Sequence, residues 1–392
     1  MGTELKPTWD QLLGSGDWEG LVEPLHPDLQ NIILRCGNFS QATLDAFNND
    51  KDSKYVGSSR YGKEGFFDKV VLDSASDYEV KAFLYSASDL GPLSVFVNHP
   101  VAGSWDLYSN FIGFIAVTTD DVSKALGRRE IYVAWRGTVT GMEWLNDLDI
   151  GLASAKELVP TELDPRKVPK IMNGWLNIYH SKNSDSKFVG LSPREQLQKH
   201  IDKLINNDYK ENLSIIVTGH SLGASLATLS AFDLVENVIN KDIRVAAICS
   251  ASPHVGDQVF VDRVKSYPNL KVFRTFNAHD AVPSVPQTFL LEYKAVGVEL
   301  IVDNKISPYL KDDVLKAHDL PGVMHVVAGY KGKDKPFELI EGWSYALANK
   351  DSDFLKEEYL IPASWWVEKN KGMVRDPQKG WILVQDEPVP ET

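Results

Sequence analysis

The 392 residues carry 54 acidic against 41 basic side chains, a formal charge of −13, with 43% hydrophobic and 24% charged residues. That composition is ordinary for a globular chain with room for a large core. It argues against a nucleic-acid partner, which needs a basic face to neutralise phosphates, and it requires any contact with lipid to be local and apolar.

The N-terminal "MGTELKPTWDQLL" lacks the basic and apolar regions of a secretory signal, and Lys6 stands where a myristoylation pattern needs Ser or Thr. No apolar run reaches the length of a membrane span. The two cysteines, Cys36 and Cys249, have no metal-ligand spacing and suggest a reduced, cytoplasmic setting. Residues 7–50 are predicted helical, with Trp9, Leu12, Leu13, Trp18 and Leu21 as apolar positions. From 55 to 100 the pattern turns to strands. "FIGFIAVTTD" and "REIYVAWRG", on either side of "DVSKALGRR", read as two paired strands. Residues 151–190 read as a long polar, Pro-containing stretch, functional or peripheral.

"SPREQLQKHIDKLINND" predicts a helix, with Ser192 as cap, Pro193 in the first turn and Glu195 completing a capping box. The strand "LSIIVTG", a helix from Leu222 to about Asn240, the strand "IRVAAICSA", the helix "GDQVFVDRVKSY" and the strand "LKVFRTFN" follow. This alternation predicts an α/β fold with a central, mostly parallel sheet covered by helices.

Gly219-His220-Ser221-Leu222-Gly223 is a G-x-S-x-G string between a predicted strand and a predicted helix, the setting of a nucleophile elbow. A Ser hydroxyl needs a base, and the base an orienting carboxylate. In a strand–elbow–helix fold these follow as Asp or Glu, then His. Asp280 lies just after "LKVFRTFN", at the carboxyl end of a strand, with Pro283 and Pro286 stiffening the loop. Only His318 and His325 of nine histidines lie beyond it. His318 falls in a loop before the helix that Pro321 opens, and His325 inside that helix among apolar residues. Loop placement favours His318 and leaves His325 as the alternative. His220 is poorly directed towards its neighbour Ser221, and His279 abuts Asp280 too closely to bridge it to Ser221. Backbone N–H groups for an oxyanion are expected from Leu222 and from the turn at "WRGT", where Gly137 allows close approach.

"VTGHSLGASLATLSAFDL", "WRGT", "SPHVGD" and "NAHDAVPSVP" resemble the class 3 (fungal-type) lipases. "WDQLLGSGDWEGLVEPLHPDLQNIILRCGNFSQATLDAFN" and "IPASWWVEKNKGMV" resemble its plant phospholipase A1 branch, so the likeness covers nearly the whole chain. It implies an α/β-hydrolase of one domain: a helical and strand extension over 1–95, a catalytic core over 96–345 and a tail over 346–392 packed on the core. It implies Ser221, Asp280 and His318 as the triad and Thr138 as an oxyanion donor through its N–H and hydroxyl. It also makes "TGMEWLNDLDIGLA" the lid, with Met142, Trp144, Leu145 and Leu148 as its apolar side chains. Two positions depart from the family pattern: His254 stands where Arg or Gln is usual, and Asn173 where His is usual. The implied activity is sn-1 acyl hydrolysis of a phosphatidylcholine-type lipid at a membrane or micelle surface, with no cofactor and no metal. A galactolipase, a triacylglycerol or monoacylglycerol lipase, and a catalytically silent hydrolase fold are the alternatives.

Overall fold

A seven-stranded sheet organises the protein. In the computed structural model, residues 6–50, 53–72, 74–87, 106, 108–138, 148–160, 164–286, 292–366, 373–376 and 380–383 are described. The strands β1 (Tyr78–Ala87), β2 (Ser109–Thr118), β3 (Arg129–Trp135), β4 (Leu213–His220), β5 (Arg244–Ser250), β6 (Leu270–Asn277) and β7 (Val298–Val302) lie side by side in chain order. β1, β2 and β3 pair antiparallel, and β3 to β7 pair parallel. The mostly parallel sheet read from the sequence is therefore present, with an antiparallel edge. The two strands expected around "DVSKALGRR" are β2 and β3, joined by the short helix Asp120–Leu126.

Parallel strands joined by crossover helices are covered on both faces, so they read as continuous apolar runs rather than alternating ones. Ile215 and Val217 of β4 enter one core and Ile216 the other. The first core takes the apolar faces of helices α2 (Asn173–His180), α3 (Pro193–Lys203), α4 (Leu222–Asn237) and α5 (Gln258–Ser266). The second takes those of α1 (Pro27–Asp45) and α6 (Leu320–Gly329). α3 begins as its sequence dictates: Ser192 Oγ accepts from Glu195 N–H, and Ser192 N–H donates to Glu195 Oε2 at 2.7 Å.

Three segments differ from the sequence reading. Of residues 9–25, only Trp9–Leu12 is helical, because Gly14, Gly16 and Gly20 take φ of 95°, 76° and 73° and turn the chain repeatedly. Trp18 remains buried through this turn region, its Nε1 donating to Leu12 O at 2.8 Å and its ring against Phe273. The 151–190 stretch contains a small two-stranded sheet, Leu152–Ser154 with Lys170–Met172, and then α2. The edge strand β7 falls outside the elements the sequence pattern predicts.

Candidate active site

The parallel register sets the site. Trp135 at the end of β3 lies beside Gly219 near the end of β4, and His220 beside Ser250 at the end of β5. The carboxyl ends of three strands therefore converge at Ser221, the residue between β4 and α4. Ser221 has φ 58° and ψ −125°, a conformation that costs an L-residue on the order of 1–3 kcal/mol. Its N–H donates to Ser250 O at 3.0 Å, which ties the turn to β5.

The flanking glycines are required by space. A Cβ on Gly219 would stand 2.3 Å from the backbone of Gly223, and one on Gly223 would stand 2.3 Å from Trp135 O. β4, the first turn of α4 and the end of β3 are thus packed backbone to backbone, with no room for side chains between them.

His318 Nε2 is 2.9 Å from Ser221 Oγ, and His318 Nδ1 is 2.8 Å from Asp280 Oδ2. With Nδ1–H donating to the carboxylate, the Nε2 lone pair faces the serine hydroxyl, a tautomer assigned from this hydrogen-bond pattern. The Asp280 side chain is only 1% exposed. Its other oxygen accepts from Val282 N–H at 2.9 Å, in the loop after β6. The structure thus brings Ser221, His318 and Asp280 into one hydrogen-bonded row.

His325 lies elsewhere. It is fully buried within α6, its Nε2 at 2.9 Å from Ser307 Oγ and its ring between Tyr309 and Phe337. Burial lowers its pKa to about 4, so it is a neutral core histidine. His279 turns towards Asp303, at 3.3 Å.

Leu222 is the first residue of the sixteen-residue helix α4, whose leading N–H groups have no acceptor within the helix. Thr138 is half-buried just beyond the end of β3. Between them, Gly137 is pressed on the residue before the nucleophile: a Cβ there would stand 2.7 Å from His220 O. Arg136 steers this strand end. Its buried guanidinium donates to Phe111 O at 2.8 Å and to Gly137 O at 2.9 Å. Burial pushes its pKa down to about 9.

Sequence reasoning passed over one member of the site. His220 Nε2 is 2.9 Å from the carbonyl oxygen of His318, and the two rings lie 4.7 Å apart. A carbonyl only accepts, so His220 carries its proton on Nε2. Burial, with the neighbouring His318 adding to it, pushes the pKa of His220 well below the usual histidine value. The signal available in the sequence was only a histidine next to Ser221.

Met142, Trp144 and Leu145, expected in a lid, lie outside the described residues. Leu148 is buried in the first core, against Gly174. Asn173 Nδ2 donates to Asp149 Oδ2 at 2.6 Å, which with the Gly151 N–H holds that carboxyl below its usual range. His254 stacks on Tyr293, and its carbonyl accepts from Trp175 Nε1 at 3.1 Å. Both departures from the family pattern are thus satisfied locally. Among the described residues there is no group of three His, Cys, Asp or Glu placed to hold a metal, and no helix long and apolar enough to cross a membrane.

Residues 132–290 match the model of the lipase (class 3) family. The chain is 44% identical to phospholipase A1-IIdelta of Arabidopsis thaliana, over 98% of this chain and 98% of that protein. It is 42% identical to phospholipase A1-II 3 of Oryza sativa subsp. indica, over 97% of this chain and 93% of that one. Its structure aligns with nonglycosylated LIP2 lipase of Yarrowia lipolytica at a TM-score of 0.45 and 18% identity, covering 75% of this chain and 84% of that one.

Proposed function

The chain belongs to the class 3 lipase family, in its plant phospholipase A1 class II branch, and from that membership we propose that it hydrolyses the sn-1 acyl ester of phosphatidylcholine-type glycerolipids through an acyl-enzyme on Ser221. The observation that carries this is the row Ser221 Oγ–His318 Nε2–His318 Nδ1–Asp280 Oδ2, with separations of 2.9 and 2.8 Å, at a strained strand-to-helix turn.

In this reading Ser221 Oγ attacks the ester carbonyl as its proton passes to His318 Nε2. Asp280 holds the imidazole in the required tautomer and stabilises the imidazolium without taking the proton. The Leu222 N–H, with the Thr138 N–H and hydroxyl, faces the negative charge that develops on the carbonyl oxygen, each donor worth about 3 kcal/mol. Collapse of the tetrahedral intermediate breaks the ester C–O bond, and His318 returns its proton to the departing lysophospholipid oxygen. Water then repeats the sequence, with His318 as base and then acid, to release the fatty acid and restore Ser221. No step draws on a cofactor. A cytoplasmic location goes with this reading, supported by two buried, free thiols at Cys36 and Cys249.

The test is hydrolysis of phosphatidylcholine, monogalactosyl diacylglycerol and triolein with product analysis, beside organophosphate labelling. Label on Ser221, absent in Ser221→Ala, with 2-acyl lysophosphatidylcholine as the main product is the expected result. Preferred release from the galactolipid or the triglyceride would reassign the substrate. Failure of the protein to take label at all would sink the nucleophile assignment.

A further inference from the structure

Beside α6, on the side of the sheet that carries α1, a solvent-facing cleft of about 560 Å³ has a divided character. Leu72, Leu320, Pro321 and Met324 give it apolar walls, and Gln41, Asp45 and Lys350 give it a polar end. None of Ser221, Asp280, His318, Thr138 or Leu222 lines it.

Two of its residues carry buried polar atoms without a partner. Gln41 is 8% exposed, and its Nε2 is committed to two carboxylates, Asp45 Oδ1 at 2.9 Å and Asp351 Oδ2 at 2.6 Å. That fixes the amide's orientation, since the reverse would set oxygen against oxygen. The acceptor Oε1 is left buried and unbonded. Trp343, also in the wall, has a buried Nε1–H donor with no acceptor. A buried donor and a buried acceptor left open are costly in an empty protein and favour an occupant able to meet both.

The charge at the polar end selects further. Lys350 is paired with Asp45 and stands over the ring of Trp366. Burial pushes the Asp45 carboxyl up to about 7 against the pull of Lys350, and raises that of Asp351 as well. With two carboxylates facing one ammonium, an anion entering here meets net repulsion once both are ionised.

We propose that this cleft is a second ligand site, separate from the Ser221 site, that takes a small uncharged molecule with an apolar body and one hydroxyl or primary amide group. That group donates to Gln41 Oε1 and accepts from Trp343 Nε1–H, while the body lies on Leu72, Leu320 and Met324.

The test is calorimetric titration of the full chain at about pH 8 with 1-octanol, octanamide and octanoate, molecules of equal chain length. The expected result is saturable binding of the alcohol and the amide, with octanoate at least roughly tenfold weaker. Trp343→Phe keeps the ring and removes the donor, and is expected to weaken the two neutral ligands about fivefold to tenfold. Leu72→Trp, which fills the cleft from a half-buried loop position, is expected to abolish their binding. Octanoate binding as tightly as the alcohol, neutral binding unmoved by Trp343→Phe and Leu72→Trp, or no heat from any of the three would each overturn the proposal.

Discussion

At the scale of single residues, the histidine before the nucleophile separates two jobs. Its backbone carbonyl fits against Gly137, and its ring donates to the carbonyl of His318. In His220→Leu that carbonyl loses its donor and the base loses its stop. With KM little changed, kcat is expected to fall by about 10- to 100-fold, the scale of a sub-ångström to 1 Å misplacement. The rate at which an organophosphate labels Ser221 should fall in step. His220→Gln, which keeps a side-chain N–H, is expected to recover part of both, and no recovery would assign the histidine to packing alone. Gly137→Ala drives a methyl to 2.7 Å from His220 O and is expected to lower kcat about 10²- to 10³-fold, as the loss of one oxyanion donor does. Ser221, Asp280 and His318 were legible because chain order and strand–loop context restrict which Asp and which His can serve. His220 was not, because its bond joins a ring to a backbone carbonyl 98 residues away, and a backbone acceptor leaves no trace in residue types.

Between elements, one carboxylate holds three helices together. Asp233 of α4 is fully buried. It accepts from Tyr179 of α2 at 2.9 Å, from Arg194 and Gln198 of α3 at 3.0 and 2.9 Å, and from Asn237 one turn on. Asp233→Ala strands Arg194 and three further donors, so unfolding free energy is expected to drop by about 3–5 kcal/mol, read from urea denaturation. Within α6, His325 gives the fold a pH dependence whose sign is fixed. Its folded pKa of about 4 lies below the unfolded value of about 6.5. Its contribution is therefore whole above pH about 6.5 and is lost as the pH falls towards 4, by at most about 3 kcal/mol. His325→Gln keeps a partner for Ser307 but does not titrate, so the stability gap between it and the parent should narrow from pH 7 to pH 5; a constant gap would contradict the assignment. Helices with their own start signals, such as α3, could be read directly from sequence. β7 could not: Glu299 and Ile301 are exposed and Leu300 and Val302 buried, a five-residue edge alternation too short to stand out. Residues 9–25 misled because Trp18 and its apolar neighbours imitate a helical face while their glycines supply turns.

For the whole molecule, a charge of −13 and a lipid substrate impose opposite demands, which a local apolar contact can reconcile. The turn Val314–Lys316 immediately precedes His318 and presents Leu315, 88% exposed, and Val314, 53% exposed. Insertion of a leucine into a bilayer interface contributes up to about 1–2 kcal/mol, roughly a 5- to 30-fold change in partition. Leu315→Asp is therefore expected to lower hydrolysis of phosphatidylcholine vesicles by that factor while leaving turnover of a water-soluble short-chain ester unchanged. An equal loss on both substrates would mean that the turn positions His318 and does not meet lipid. The net charge adds a second, separable effect. On vesicles doped with anionic lipid, rates should be depressed at about 0.01 M salt, where the field reaches about 30 Å, and should rise by about 0.15 M, where it is screened within about 8 Å. On purely zwitterionic vesicles the same change of salt should leave rates flat, because an apolar anchor carries no charge to screen.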